Sequence, residues 1–284
     1  MKVRPIAFDS FGARSMCTVV ETKDIKIVID PSVALAPKRY GLPPHELELR
    51  RKDELWNEIK KELESADVVI ITHYHYDHHN PNEPEVLGGK TLLVKHPKEA
   101  INFSQMKRAK FFLSSLDANV KFADARSFEF GDTLITFSKP VPHGKDTKLG
   151  YVLEVLIEDK KESFLFTSDV EGLPLKEHVE FVLHSNPKII FVDGPMTYMP
   201  HIFGRKLLEK SLKNLKIVVE KTNVKALILD HHLLRDINWR IKMTEIFELG
   251  EELGVHIQSA SEFVGKREDL LEARRKELYQ NSLR

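Results

Sequence analysis

Cysteine is almost absent. Cys17 is the only one in 284 residues, so no disulfide can form within the chain, and a reducing compartment is expected. It lies in the apolar stretch Met16-Cys17-Thr18-Val19-Val20 and reads as a small buried hydrophobe, not a reactive thiol. Long apolar runs are also missing. None approaches the roughly 18 residues that a membrane helix needs, and the first residues carry Lys2, Arg4 and Asp9. Neither a membrane span nor a signal peptide is expected, and the cytoplasm is the expected compartment. An excess of charge of either sign is lacking too, because 43 lysines and arginines balance 43 aspartates and glutamates. The net charge therefore does not point to nucleic acid, although a local basic patch would still permit it. No linker rich in Gly/Ser or Pro divides the chain, and no low-complexity tract interrupts it.

What is present suits a packed globular protein. Hydrophobic residues make up 42% and charged residues 30%, enough apolar material for a sizeable core. A single domain over residues 1–284 is expected, ending in a charged helix at about 262–281. The first quarter reads as short strands at 6–8, 17–20 and 25–29. A proline-rich loop follows at 32–45, then a charged helix at 46–65 with Leu55, Trp56, Ile59 and Leu63 on one face. Strands are expected at 68–72, 91–94, 133–137, 150–157, 164–167, 189–192, 226–229 and 255–258. Helices are expected at 97–116, 174–185, 204–221 and 238–253. Strands that form hairpins and then alternate with helices imply sheets covered by helices.

Histidine is concentrated rather than scarce. Four of the 13 stand in "THYHYDHHN", residues 72–80, directly after the apolar run Val68-Val69-Ile70-Ile71. His73 and His75 are two apart, so on an extended segment both imidazoles face one way and can reach one cation. Asp77 and His78 follow where the chain must turn, and can reach a second. Imidazole and carboxylate without thiolate suit zinc, and also manganese or iron. Three more polar residues leave apolar strands: His143 in "KPVPHG", Asp169 in "LFTSD", and the pair His231-His232 in "LILDHH". Each alone would pass for a cap or a turn residue. Together, after the first cluster, they read as further ligands.

In this order, "THYHYDHH", "VPHG", "FTSD" and "LDHH" resemble the metallo-β-lactamase superfamily, and "IVIDPS" resembles its early strand ending in an aspartate, here Asp30. The resemblance runs roughly from residue 6 to 232. It implies an α/β fold, a four-layer αββα sandwich of two mixed sheets, with a metal site at one edge. It implies that His73, His75 and His143 hold one divalent ion, that Asp77, His78 and His231 hold another, and that Asp169 bridges them. Asp30 would support the loop by hydrogen bonds. Antibiotic-hydrolysing members carry cysteine where this chain has Asp169, which argues against a true β-lactamase. The segment "LILDHHLLR" is similar to that of tRNA-processing members, whose arginine four residues after the last ligand matches Arg235, and this favours His231 over His232. The chain has no counterpart of their protruding RNA-binding arm. It is most similar to a group of archaeal predicted hydrolases.

The implied activity is that of a binuclear hydrolase with two divalent ions, zinc in the first place and manganese or iron as alternatives. A metal-bound hydroxide would attack a phosphoester or another ester, with Asp77 also accepting a proton. Arg39 and Tyr40 in the proline-rich loop, Arg235, and His201 are candidate substrate contacts, with Lys145 and Lys148 as further cations. An iron-dependent oxidoreductase of the same fold and a nuclease or RNA-processing enzyme are the competing expectations.

Overall fold

The computed structural model describes residues 1–281. Its first sheet runs β1 (Lys2–Phe8), β2 (Met16–Glu21), β3 (Lys26–Ile29), β4 (Val68–Ile71), β5 (Thr91–Val94) and β6 (Asn119–Phe122), in that order. The first three pair antiparallel, and β3 to β6 pair parallel. Strands buried on both faces need no polar alternation. The Val-Val-Ile-Ile run of β4 is such a strand, with all four residues buried.

The second sheet contains β7 (Ser127–Phe130), β8 (Thr133–Phe137), β11 (Val155–Glu158), β12 (Ser163–Phe166), β13 (Ile189–Asp193), β14 (Ala226–Asp230) and β15 (His256–Gln258), in the order β15-β14-β13-β12-β11-β8-β7. A small hairpin of β9 (Val141–Pro142) and β10 (Tyr151–Val152) stands beside it. Leu156 and Leu165 of this sheet face outward onto α3 (Lys176–Ser185), α5 (Arg205–Lys221) and α7 (Thr244–Leu253). Its other face, with Val155, Ile157 and Phe166, meets the first sheet. The first sheet is covered in turn by α1 (Glu46–Glu64) and α2 (Phe103–Ser114), through Leu55, Ile59, Ala109 and Phe112. The result is a mixed α/β fold with two large mixed sheets between helical layers. Short helices α4 (Pro200–Phe203), α6 (Trp239–Lys242), α8 (Ala260–Phe263) and α9 (Arg275–Asn281) complete it. Among the described residues, no helix is long and apolar enough to cross a membrane.

Several boundaries differ from expectation, each for a local reason. α2 starts at Phe103, not at 97, because the Asn102 side chain caps it by accepting from Gln105 N. The preceding turn closes on the His96 ring, whose Nδ1 accepts from Lys98 N and Glu99 N. The strand expected at 150–157 is two strands: Leu153 N leaves the sheet to donate to Thr72 O, and the halves pair with different neighbours. The edge strands β6 and β7 were not expected, since "NVKF" and "SFEF" are half-polar and exposed. The helix expected over 238–253 breaks at Met243. The charged helix expected at about 262–281 is replaced by α8 and α9, with residues 282–284 of the chain outside the described ones. Gly265, at φ 71°, ends the first. The segment between them then lies against the body of the protein, where Asp269 N donates to Ser10 O and Arg14 pairs with Glu272.

Candidate metal centre

Strand direction gathers the chemistry. β1, β3 and β4 run the same way in one sheet, and β12, β13 and β14 do so in the other. Their carboxyl ends open at one edge, where open α/β sheets place their ligands. Asp9, Asp30 and His73 follow the first three strands, while Asp169, Asp193 and His231 stand at or just beyond the ends of the others.

The loop turns as its residue types allow. His78 N and His79 N both donate to His75 O, which folds residues 75–79 into a tight turn. Tyr74 points away from the cluster and donates to Lys95 O, and Tyr76 is exposed. Asp30 holds the loop from below. Its carboxylate accepts from Thr72 N (2.8 Å) and Thr72 Oγ1 (2.6 Å) and meets His78 Nδ1 at 2.8 Å. The Asp30 backbone is left-handed, φ 48°. Ser168, Glu171 and His231 are left-handed as well. Such conformations cost on the order of 1–3 kcal/mol each and collect at functional sites.

Two donor groups result. In the first, atoms of His73, His75, His143 and Asp169 all lie within 4.8 Å of one another; in the second, Asp77, His78 and His231 do. Asp169 touches both. Its Oδ2 is 3.1 Å from His143 Nε2, 3.6 Å from His73 Nε2 and 3.5 Å from His231 Nε2. Its Oδ1 is 3.0 Å from His78 Nε2, without the geometry of a hydrogen bond. Burying polar atoms without partners is costly. Here His73 Nε2, His78 Nε2 and Asp169 Oδ1 are all buried and unpartnered, and they converge. Divalent cations in the two groups would answer all three, so the residues fit the ions that the resemblance implies.

The protonation pattern agrees in part. Burial, with His78 next, holds His73 well below the ordinary imidazole range, and burial with His143 takes His75 down to about 3. Neutral imidazoles are what a cation needs. His78 behaves oppositely: burial would lower it, but Asp169 and Asp30 outweigh burial and lift it to about 10. Burial also works against Asp169, yet His78, His231 and His73 keep it well below the usual carboxylate range. Burial and Arg235 oppose a second proton on His231, while Asp169 and Asp9 invite one and lift its pKa well above the ordinary value. His231 Nδ1 meets Asp9 Oδ2 at 2.8 Å, and Arg235 Nη2 lies over the ring, 3.1 Å from Nε2 and 3.4 Å from Nδ1, where its charge opposes a second proton.

Above the donors lies a cleft of about 450 Å³, lined among others by Arg14, His143, Lys145, Tyr198, His232 and Arg235. A larger depression, about 620 Å³, sits on the far side of the loop between Trp56, Tyr76 and Phe111, and none of the donor residues lines it. Arg235 lies beside the second donor group, with Nη2 3.8 Å from Asp77 Oδ2. Lys145 and Lys148 line the cleft. Arg39 and Tyr40 do not. The Arg39 guanidinium packs between the rings of Tyr40 and Tyr198 at 4.6 and 4.5 Å and donates to Arg235 O. His201 is exposed on α4 and does not line the cleft. His232 does line it, with Nδ1 3.0 Å from both oxygens of Asp193.

Asp9, Arg14 and Glu171 also stand at this edge, beyond the residues that the sequence motifs name. Asp9 had a usable signal, since it follows the apolar end of β1 as Asp30 follows β3. The closeness of Glu171 to His143, 3.7 Å, depends on Gly144, where any Cβ would strike the Glu171 carboxyl.

Comparison with known proteins agrees with this geometry. The beta-lactamase superfamily domain matches residues 26–203. A UPF0282 protein of Korarchaeum cryptofilum (strain OPF8) is 51% identical over 284 residues, covering 99% of this chain and 95% of its own. The chain belongs to the UPF0282 family, within the beta-lactamase superfamily. Solved structures share the fold of this chain at low identity. Isothiocyanate hydrolase from Delia radicum gut bacteria aligns with a TM-score of 0.58 at 16% identity, over 92% of this chain and 97% of that one. CmlA, a diiron beta-hydroxylase from Streptomyces venezuelae, aligns at 0.53 and 12%, over 86% and 51%. At such identities the likeness speaks for the fold alone. The chain thus has the metallo-β-lactamase architecture that its sequence implies, and the His/Asp cluster fits a metal site within it.

Proposed function

We propose that this chain is a binuclear metal-dependent hydrolase acting on a phosphoester or another ester with an anionic group. The observation that carries this reading is Asp169, one carboxylate in contact with both donor groups beneath a cleft edged with cations. His73, His75 and His143 would hold one ion, Asp77, His78 and His231 the other, with Asp169 between them. When bound, a pair of zinc ions would polarise the scissile group and make water acidic enough to attack at neutral pH; manganese and iron suit the same donors.

The chain's own residues supply the rest. Asp77 Oδ2, 3.7 Å from His231 Nε2, is partly exposed toward the site and accepts a proton. Burial would raise its pKa, but His78 and His231 hold it ionised. Arg14, Lys145 and Lys148 line the cleft together with Asp146 and Glu171; Arg14 is answered by Glu272, which leaves Lys145 and Lys148 to attract an anionic substrate. Their charge suits phosphate or carboxylate more than a neutral ester. His232, anchored by Asp193, is placed to hydrogen-bond the leaving group, a role better suited to it than to the exposed His201. The lone buried Cys17 fits a cytoplasmic setting.

Metal analysis of the purified protein, joined to a panel of chromogenic phosphodiesters, thioesters, lactones and short RNAs, tests the reading. Zinc or manganese with esterase turnover supports it. Iron as isolated, with no hydrolysis, favours the oxidoreductase, a reading helped by the diiron neighbour and the thiolate-free donors. RNA cleavage alone would favour a nuclease. Asp169→Ala should strip metal from both groups, whereas His231→Ala should spare the first. Equal loss in the two variants would count against a bridge.

A further inference from the structure

We infer that Glu171 selects the substrate: its carboxyl accepts a hydrogen bond from a hydroxyl or amine that the substrate carries next to its scissile group. This rests on the hydrolase reading above and deepens it, since it adds a donor to the anionic group already named.

Glu171 lines the cleft, yet it is only 3% exposed. Its backbone N donates to Asp193 Oδ2 at 2.8 Å, whereas its carboxyl has no hydrogen-bond partner among the described residues. A carboxyl buried in this way is costly unless something answers it. The chain is nevertheless shaped to hold it there. The Glu171 backbone is left-handed, φ 49°, a conformation that a side chain disfavours and that collects at functional sites. Gly144 leaves the carboxyl its room, because a Cβ there would stand 2.3 Å from both Cδ and Oε2 of Glu171. Gly172, at φ 84°, carries the chain past Pro195, which a Cβ would strike at 2.8 Å.

His143 is the nearest alternative partner, and its neighbours argue against it. Three histidines at this edge are held by carboxylates through Nδ1: His78 by Asp30 and His231 by Asp9, both at 2.8 Å, and His232 by Asp193 at 3.0 Å. Glu171 Oε1 stands 3.7 Å from His143 Nδ1, beyond a hydrogen bond, and Nδ1 has no partner. The cations of the cleft are engaged elsewhere. Arg14 pairs with Glu272, Lys145 Nζ donates to Ile202 O, and Arg235 Nε donates to Asp9. The carboxyl is therefore left for a ligand. Its place says which part of the ligand. His143 Nε2 faces Asp169 Oδ2 at 3.1 Å, so one imidazole ring separates Glu171 from the first donor group. A group that reaches Glu171 lies close to the bond being cleaved, not on a distant tail. An ionised carboxylate only accepts, so its complement is an O–H or N–H. A site built to bond such a donor also rejects the analogue without it, because its own buried group is then unpaired.

The test is calorimetric binding of three small phosphates to the zinc-loaded full chain: 2-hydroxyethyl phosphate, 2-aminoethyl phosphate, and ethyl phosphate, which has the same phosphate and no donor. The wild type should bind the first two about tenfold or more tightly than the third. Glu171→Ala should bind all three alike while keeping its zinc affinity. Glu171→Gln, whose amide oxygen still accepts, should keep part of the preference for the hydroxyl and lose most of that for the amine. Neither change leaves a partner unpaired, so both variants should match the wild type in denaturant. Equal or absent binding of the three phosphates by the zinc-loaded wild type, or a preference that survives Glu171→Ala, overturns the assignment and leaves the hydrolase reading standing. Zinc lost from Glu171→Ala overturns it too, and makes Glu171 a support for His143. A wild type that takes up no zinc, manganese or iron refutes the hydrolase reading and this inference with it.

Discussion

Two loops leave neighbouring parallel strands of one sheet and come to opposite ends. The histidine loop, residues 72–80 after β4, turns into the protein and brings donor atoms together with nothing to bond. The proline-rich loop, residues 31–45 after β3, turns outward and has most of its buried polar groups answered; Arg39 Nε, packed between two aromatic rings, is the exception among its described side chains. Arg275 donates to Ala36 O and Leu42 O and forms a two-point pair with Glu48, both distances 2.7 Å and both side chains fully buried. Tyr40 OH donates to Ala273 O, and Tyr279 OH to Pro44 O. Both loops are irregular and both begin at the site edge. The partners of their buried polar atoms separate them. Satisfied groups mark scaffold, and unsatisfied convergent groups mark a place for a ligand.

Asp30 sits at the junction of the two loops, so changing it should break the comparison most severely. It is fully buried, supports Thr72 and His78, and begins the proline-rich loop in a left-handed conformation. Removing one member of such a buried pair typically costs about 3–5 kcal/mol, and alanine would add roughly 1–2 kcal/mol for the backbone. Loss of support for a ligating histidine typically weakens metal about 10- to 100-fold. Asp30→Ala should therefore lose both stability in denaturant and affinity in a metal titration. Normal metal affinity in a destabilised Asp30→Ala protein would mean that Asp30 serves the scaffold alone.

Arg275→Ala should sharpen the contrast. It leaves Glu48 buried and unpaired, at a cost of about 3–5 kcal/mol, and frees Ala36 O and Leu42 O. Because the hydrogen bonds of the Arg275 side chain go to the proline-rich loop and α1, metal content should not change. Unfolding curves and metal analysis of the same preparation check both halves. Lost metal would show that the two loops are coupled.

These two loops also separate what sequence could reveal from what it could not. The histidine loop was legible because its message is local: spacing along an extended segment fixes which side chains share a face. His143, Asp169 and His231 were legible as polar residues leaving apolar strands, and strand direction then brings them to one edge. The partners of the proline-rich loop were hidden. Arg275 and Glu48 are 227 residues apart, and Arg235 and Asp9 are 226 apart. No periodicity encodes a meeting across the fold. The break at residues 153–154 was hidden for the same reason, since it depends on Leu153 N reaching Thr72 O. The resemblance to a known family named Arg235, but its place over the His231 ring, held there by Asp9, emerges only from the geometry.

Arg39 is the residue whose reading changes most, and it gives the mildest prediction. Sequence placed it in the proline-rich loop as an anchor for an anionic substrate. In the structure its guanidinium is occupied by two aromatic rings and by Arg235 O, the backbone of the residue that reaches the second donor group. It therefore acts on the cleft indirectly, by holding Tyr198 and the Arg235 backbone in place. A cation–π contact contributes about 0.5–2 kcal/mol and a hydrogen bond about 1 kcal/mol, partly offset by solvent once the side chain is gone. Arg39→Ala should lower stability by about 1–2 kcal/mol. It should also raise KM a few-fold through the loosened Tyr198 wall, with kcat and metal content nearly unchanged. Arg39→Lys keeps a charge but loses the flat face and the fork, so it should behave more like alanine than like arginine. A direct anchor predicts the reverse order, with lysine rescuing binding of an anion, and steady-state kinetics of the two variants on one anionic ester separates these readings.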